Sequence, residues 1–250
     1  MTIEQYPINI ELTKHPTDVG NAAVNWELGI IYKAIKKLLV GVMSGAAAPK
    51  YNYFYNGHWH IDQVNEGALY TSGAGLKAMD GLTLVSVGAG VFKVRRLANP
   101  TRPSKMCCEI TCTTIDADPT TAGDRYEVLW PVEGSRVATL EWGTANAKSI
   151  TVKFPYTTNK TGVYGVFFTN SAASRFYCTT INATSTSEQW HTVTIPGDIT
   201  GTWLYANGTV GLYMNLTLAT AATGTTETWG TSVVRSSTAQ TNFMSSTANI

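Results

Sequence analysis

Val210-Gly211-Leu212-Tyr213-Met214-Asn215-Leu216-Thr217-Leu218 alternates large apolar side chains with polar, aromatic or absent ones, without a break. Successive side chains of a strand point to opposite faces, so this spacing sends Val210, Leu212, Met214, Leu216 and Leu218 inward and Tyr213, Asn215 and Thr217 outward. The same period recurs upstream. Trp59 and Ile61 alternate with His58, His60 and Asp62, and Met106, Cys108, Ile110 and Cys112 with Cys107, Glu109 and Thr111. Ile150, Val152, Phe154 and Tyr156 alternate with Ser149, Thr151 and Lys153, and Val193 and Ile195 with Thr192 and Thr194. Turn signals separate the runs at Asn56-Gly57, Pro196-Gly197-Asp198 and Asn207-Gly208. Many such strands without helices between them predict an all-β antiparallel sandwich. The stretch from Thr220 to Ile250, rich in Ser, Thr and Ala, reads as weak strand and loop.

Charge distribution supports the β reading. Charged residues are 14% of the 250, and the last hundred positions hold only seven of them against 24 threonines. Threonine favours strands, whereas long exposed helices carry Glu and Lys on their wet face. The net charge of +1 excludes electrostatic binding of nucleic acid or anionic lipid as the main business of the protein. No apolar run is long enough for a membrane span, and the opening MTIEQYPINIELTKHP shows no secretory pattern. Four cysteines are too few for a disulfide scaffold.

A helical pattern occurs near the start. Val24, Leu28, Ile31, Ile35, Leu38 and Val42 are spaced 4-3-4-3-4, a heptad seam that predicts a helix over about 22–43. Asp18 or Asn21 can cap it, and Gly45 and Pro49 stop it. A helix of this length needs a partner. Two readings stand side by side. It packs on its own domain, since Trp26, Ile30 and Val40 widen the apolar face, or it self-associates, Leu at a with Ile at d favouring three or four strands. The expected organisation is an attachment and oligomerisation segment over 1–48 and a β domain over 50–250.

Few residues suggest catalysis. The four histidines and the lack of a G-x-S-x-G setting leave little from which to build a hydrolase. His58, His60 and Asp62, on one face of a strand, suit a first-row metal, but an ordinary wet face opposite Trp59 and Ile61 accounts for them better, and no metal or other cofactor is expected. Strand alternation sends Cys107 away from Cys108 and Cys112, which speaks against a zinc site.

Two stretches resemble tailed-bacteriophage tail-fibre and tail structural proteins. The first is Tyr55-Asn56-Gly57-His58-Trp59-His60-Ile61-Asp62-Gln63, followed by Gly67. The second joins Glu133-Gly134, Trp142-Gly143-Thr144, Ile150 to Phe154, Thr161-Gly162, Arg175, Tyr177, Trp190 and Gly201-Thr202-Trp203. Met79-Asp80-Gly81-Leu82 stands where such proteins usually carry Tyr-x-x-Asp-x-Trp, and they usually continue into a further strand with a Leu-Glu pair. The resemblance covers residues 52 to 218 and implies a carbohydrate-binding jelly roll and a place in the virion, assembled in the host cytoplasm. It implies a tail-fibre role, recognising host cell-surface polysaccharide without catalysis. The implied partners are copies of itself, as a homotrimer, and other virion proteins through the N-terminal segment. Alternatives are a purely structural head, neck or baseplate decoration and a polysaccharide-cleaving tailspike. Sugars stack their C–H faces on aromatic rings and need donors and acceptors around them. Tyr213, Asn215, Trp190, Tyr177 and Arg175 are the residues expected to bind glycan.

Overall fold

The structure, a computed structural model, describes residues 52–73, 76–99, 105–119 and 123–250. The heptad seam from Val24 to Val42 lies outside the described residues. Eleven strands run through those described: β1 (Tyr70–Thr71), β2 (Leu76–Met79), β3 (Leu82–Val87), β4 (Val91–Ala98), β5 (Met106–Thr114) and β6 (Arg125–Glu133), then β7 (Ile150–Tyr156), β8 (Gly162–Asn170), β9 (Phe176–Ala183), β10 (Gln189–Ile195) and β11 (Val210–Thr220). A one-turn helix, α1 (Gly134–Val137), follows β6.

All the strand pairs are antiparallel, in sheets ordered β2-β3-β6-β11-β8-β9, β1-β4-β5 and β10-β7. The pairing is nested: β6 takes β11, β7 takes β10 and β8 takes β9. That wrapping of one long hairpin around itself is the jelly roll, and the expected all-β sandwich is the observed fold. Val152 and Ile195 of the two-stranded sheet and Phe92, Val94, Ile110 and Cys112 of the three-stranded sheet join a single core. From the six-stranded sheet they meet Leu84, Val128, Phe168, Leu212 and Leu216. The alternation of β11 therefore reads correctly on its inward side.

The segment 221–250 is mostly irregular and is stitched across the sandwich. Arg235 N donates to Ala222 O, Thr241 N donates to Val163 O, and Phe243 and Met244 sink into the core. Ala248–Ile250 then runs beside β5, where Ile110 and Ile250 exchange N–H···O bonds of 2.9 and 3.0 Å and Cys112 N donates to Ala248 O.

One expected strand is absent. Residues 54–67 form turns, with Trp59 at φ 59° and packed on Trp130. Polar side chains impose this shape. Asn56 Nδ2 donates to the carbonyls of Ile61 and Asp80, Asn56 Oδ1 accepts from Ile61 N, and Asp80 accepts from Gln63 N. Side chains that bond their own backbone compete with a ladder and win here.

Candidate functional site

The outward face of the six-stranded sheet carries the polar cluster. β6 contributes Arg125, Glu127 and Leu129, β11 contributes Tyr213, Asn215 and Thr217, and β8 contributes Gly165, Phe167 and Thr169, all in register. Alternation predicts this face to be wet, but residues 234–236 lie on it. Thr217 Oγ1 donates to Arg235 O, and Asn215 and Thr217 are buried. Gly165 permits the approach, because a Cβ there would overlap the Arg235 carbonyl oxygen and crowd Ser236.

Between the sheet and Arg235 runs a groove of about 180 Å³ that reaches Tyr213, Asn215, Arg125 and Glu127. Arg235 Nε stands 2.6 Å from Glu127 Oε1, an ion pair whose N–H is not aligned on the oxygen. Its guanidinium also lies 5.9 Å from the centre of the Phe167 ring. Burial pushes the Glu127 carboxyl above its ordinary range, against the pull of Arg235 and Arg125, and pushes the Arg235 guanidinium down. Asn215 is 1% exposed; its Nδ2 donates to Phe167 O at 3.3 Å, while its Oδ1 has no donor among the described residues. The buried Nε of Arg125 and Oγ of Ser236 likewise lack partners among them. Unpaired buried polar atoms are costly, and a ligand that supplies their partners recovers that cost on binding.

A larger groove of about 360 Å³ lies at the β9 edge, against Phe176, Cys178, Trp229, Val234 and threonines. Burial raises the Cys178 thiol to about 12.

The five residues expected to bind glycan fall in three places. Tyr213 and Asn215 share the first groove. Trp190, 58% exposed, stands on the outer side of the β7–β10 sheet with Lys153 Nζ 4.8 Å from its ring centre. The β7–β10 and six-stranded sheets share the core, so Trp190 and Tyr213 point away from each other. Tyr177, whose side the spacing leaves open, is on the core side of β9, buried beside Trp229. β9 is buried on both faces over much of its length, so alternation there gives no direction. Arg175 is engaged with Asp198 and packed over Gly201. Arg125, Glu127 and Arg235 were not legible as a cluster. The signal is slight: Arg125 and Glu127 stand two positions apart on one strand, and Arg235 follows over a hundred positions later in a stretch without periodicity.

The His58, His60 and Asp62 arrangement is corrected as well. The rings are 6.0 Å apart, but Asp62 is turned in and buried, accepting from Asn65 N and Gly67 N. Among the described residues no three or more His, Cys, Asp or Glu cluster as metal ligands.

No protein-family model matches the chain, and no curated protein matches it. Among solved structures it is similar to the arabinose-bound MgGH51 α-L-arabinofuranosidase, at a TM-score of 0.35 and 14% identity over 67% of this chain and 23% of that one. The chain thus spans less than a quarter of that enzyme's length, and a likeness at this level says nothing of activity.

Proposed function

We propose that the sandwich is a glycan-recognition module of the tailed-phage fibre type, acting without catalysis, with the Tyr213–Asn215 groove as its site. The observation that carries this reading is Asn215. A buried amide oxygen without a donor among the described residues, at the floor of a groove beside a half-buried tyrosine ring, suits a ligand that is rich in hydroxyls and has an apolar face. Among the described residues Glu127 is the one carboxylate lining this groove, whereas glycoside cleavage ordinarily uses two, which favours binding over cutting. On this reading the heptad seam from Val24 to Val42 trimerises the protein and the N-terminal segment joins it to other virion proteins.

The test is a host-glycan array probed with the full chain and with Tyr213→Ala. Signals lost in the variant support the site. An array silent for both proteins turns the reading toward a decoration that binds only other virion proteins. Release of reducing ends from host polysaccharide turns it toward a tailspike.

A further inference from the structure

Among the described residues three charged side chains, Arg125, Glu127 and Arg235, line the groove, and their charges do not cancel. Glu127 is held by Arg235 at 2.6 Å, so the pair is neutral as a unit. Arg125 faces the same carboxylate from β6 but donates no hydrogen bond to it, and its buried Nε has no acceptor among the described residues. The groove therefore holds one positive charge beyond its ion pair, on a planar fork of donors that matches a carboxylate. A simple anion answers only part of this. Asn215 Oδ1 accepts and cannot donate, so it calls for an O–H, which a fully ionised sulfate or carboxylate lacks. The amide orientation follows from the donation of Nδ2 to Phe167 O.

Resting on the reading of this groove as a saccharide site, we infer that its ligand is an acidic oligosaccharide. Its sugar carboxylate is bound by Arg125, a hydroxyl donates to Asn215 Oδ1, and a ring face lies against Tyr213. The register also gives the ligand a direction. Arg125 pairs with Thr220 at one end of β11, whereas Tyr213 pairs with Pro131 towards the other. Six positions of β6 separate Arg125 from Pro131, about 20 Å at the usual rise per strand residue. The site thus spans more than one sugar unit, with its acidic unit at the Arg125 end.

The experiment is calorimetric titration of the full chain with oligogalacturonate, with oligo-α2,8-sialate, and with both after reduction of their carboxyls to alcohols. Wild type is expected to bind at least one charged probe about tenfold or more tightly than its reduced form, the ratio expected of a charge-assisted hydrogen bond. Arg125→Gln should abolish that ratio while melting at the wild-type temperature, and Tyr213→Ala should weaken charged and reduced probes alike. Equal affinity for charged and reduced probes overturns the inference, as does a ratio that survives in Arg125→Gln. Failure of all four probes to bind at millimolar concentration overturns it too. In each of those cases the saccharide reading survives only if the glycan array still gives signals lost in Tyr213→Ala, so the two ideas fail separately.

Discussion

Arg175 holds Asp198 by two parallel hydrogen bonds, Nε to Oδ2 at 2.7 Å and Nη2 to Oδ1 at 2.8 Å. Asp198 is 2% exposed and also accepts from the backbone and hydroxyl of Thr200, so one carboxylate ties the start of β9 to the loop after β10. Asp198→Ala leaves the guanidinium without its partner and should cost about 3–5 kcal/mol. Urea unfolding checks it, and a loss under 1 kcal/mol means that the bidentate pair is dispensable.

Neighbouring residues of β11 should separate folding from recognition. Leu212 is 2% exposed and faces the core, so Leu212→Ala should cost about 2–5 kcal/mol through the cavity it leaves. Tyr213 is half-buried at the groove, so Tyr213→Ala should cost no more than about 1 kcal/mol while weakening host-glycan binding roughly thirtyfold. Melting curves and adsorption to host cells measure both.

Gly165 should be intolerant of any side chain. Gly165→Ala drives a Cβ into the Arg235 carbonyl, and overpacking of this kind costs about 1–3 kcal/mol. Glycan binding should fall with it, since Arg235 forms one wall of the groove. A variant with wild-type melting and binding would show that residues 234–236 do not need their close seat.

His191 should make stability depend on pH. Its ring lies 5.4 Å from Phe154, its Nε2 is buried without a partner among the described residues, and burial lowers its pKa below the ordinary 6.5. The unfolded chain then binds a proton that the folded chain refuses. This contribution is intact above 6.5 and is lost as pH falls from there toward the folded value. Chemical denaturation at about pH 7.5 and about pH 5 should show a smaller fall for His191→Phe than for wild type. Equal falls would dismiss the effect.

Cys112 and Cys178 are buried, and burial raises both thiols. Each should react with a thiol reagent only after unfolding, since the thiolate is the reactive form. Mass mapping of native and denatured samples decides it.

The sandwich was legible because β7, β10 and β11 each keep one face in the core, and a period of two records this directly. The site was half legible. Tyr213 and Asn215 were assigned the correct face, but the cover over it comes from a stretch with no periodicity of its own. Loop backbone reaches the sheet there through one glycine and one threonine hydroxyl, and neither leaves a pattern. The error at Trp59 has a different cause: five alternating residues fit a short strand or a chain of turns equally well, and Asn56 and Asp62 decide between them by hydrogen bonds that spacing does not encode.

The pairing of Ala248–Ile250 with Ile110 and Cys112 also bears on how the protein is made. An N-terminal stretch that emerges from the ribosome can form the β4–β5 hairpin, but that edge of β5 gains its neighbour only after nearly 140 further residues have been translated. The nested pairs impose shorter waits, from Glu133 to Val210 for β6 with β11 and from Tyr156 to Gln189 for β7 with β10. Contacts this far apart in sequence make for slow folding, and an open strand edge can meanwhile pair with a second nascent chain. Yield in a cell should therefore be governed by temperature and chaperone supply during synthesis more than by the stability of the finished sandwich.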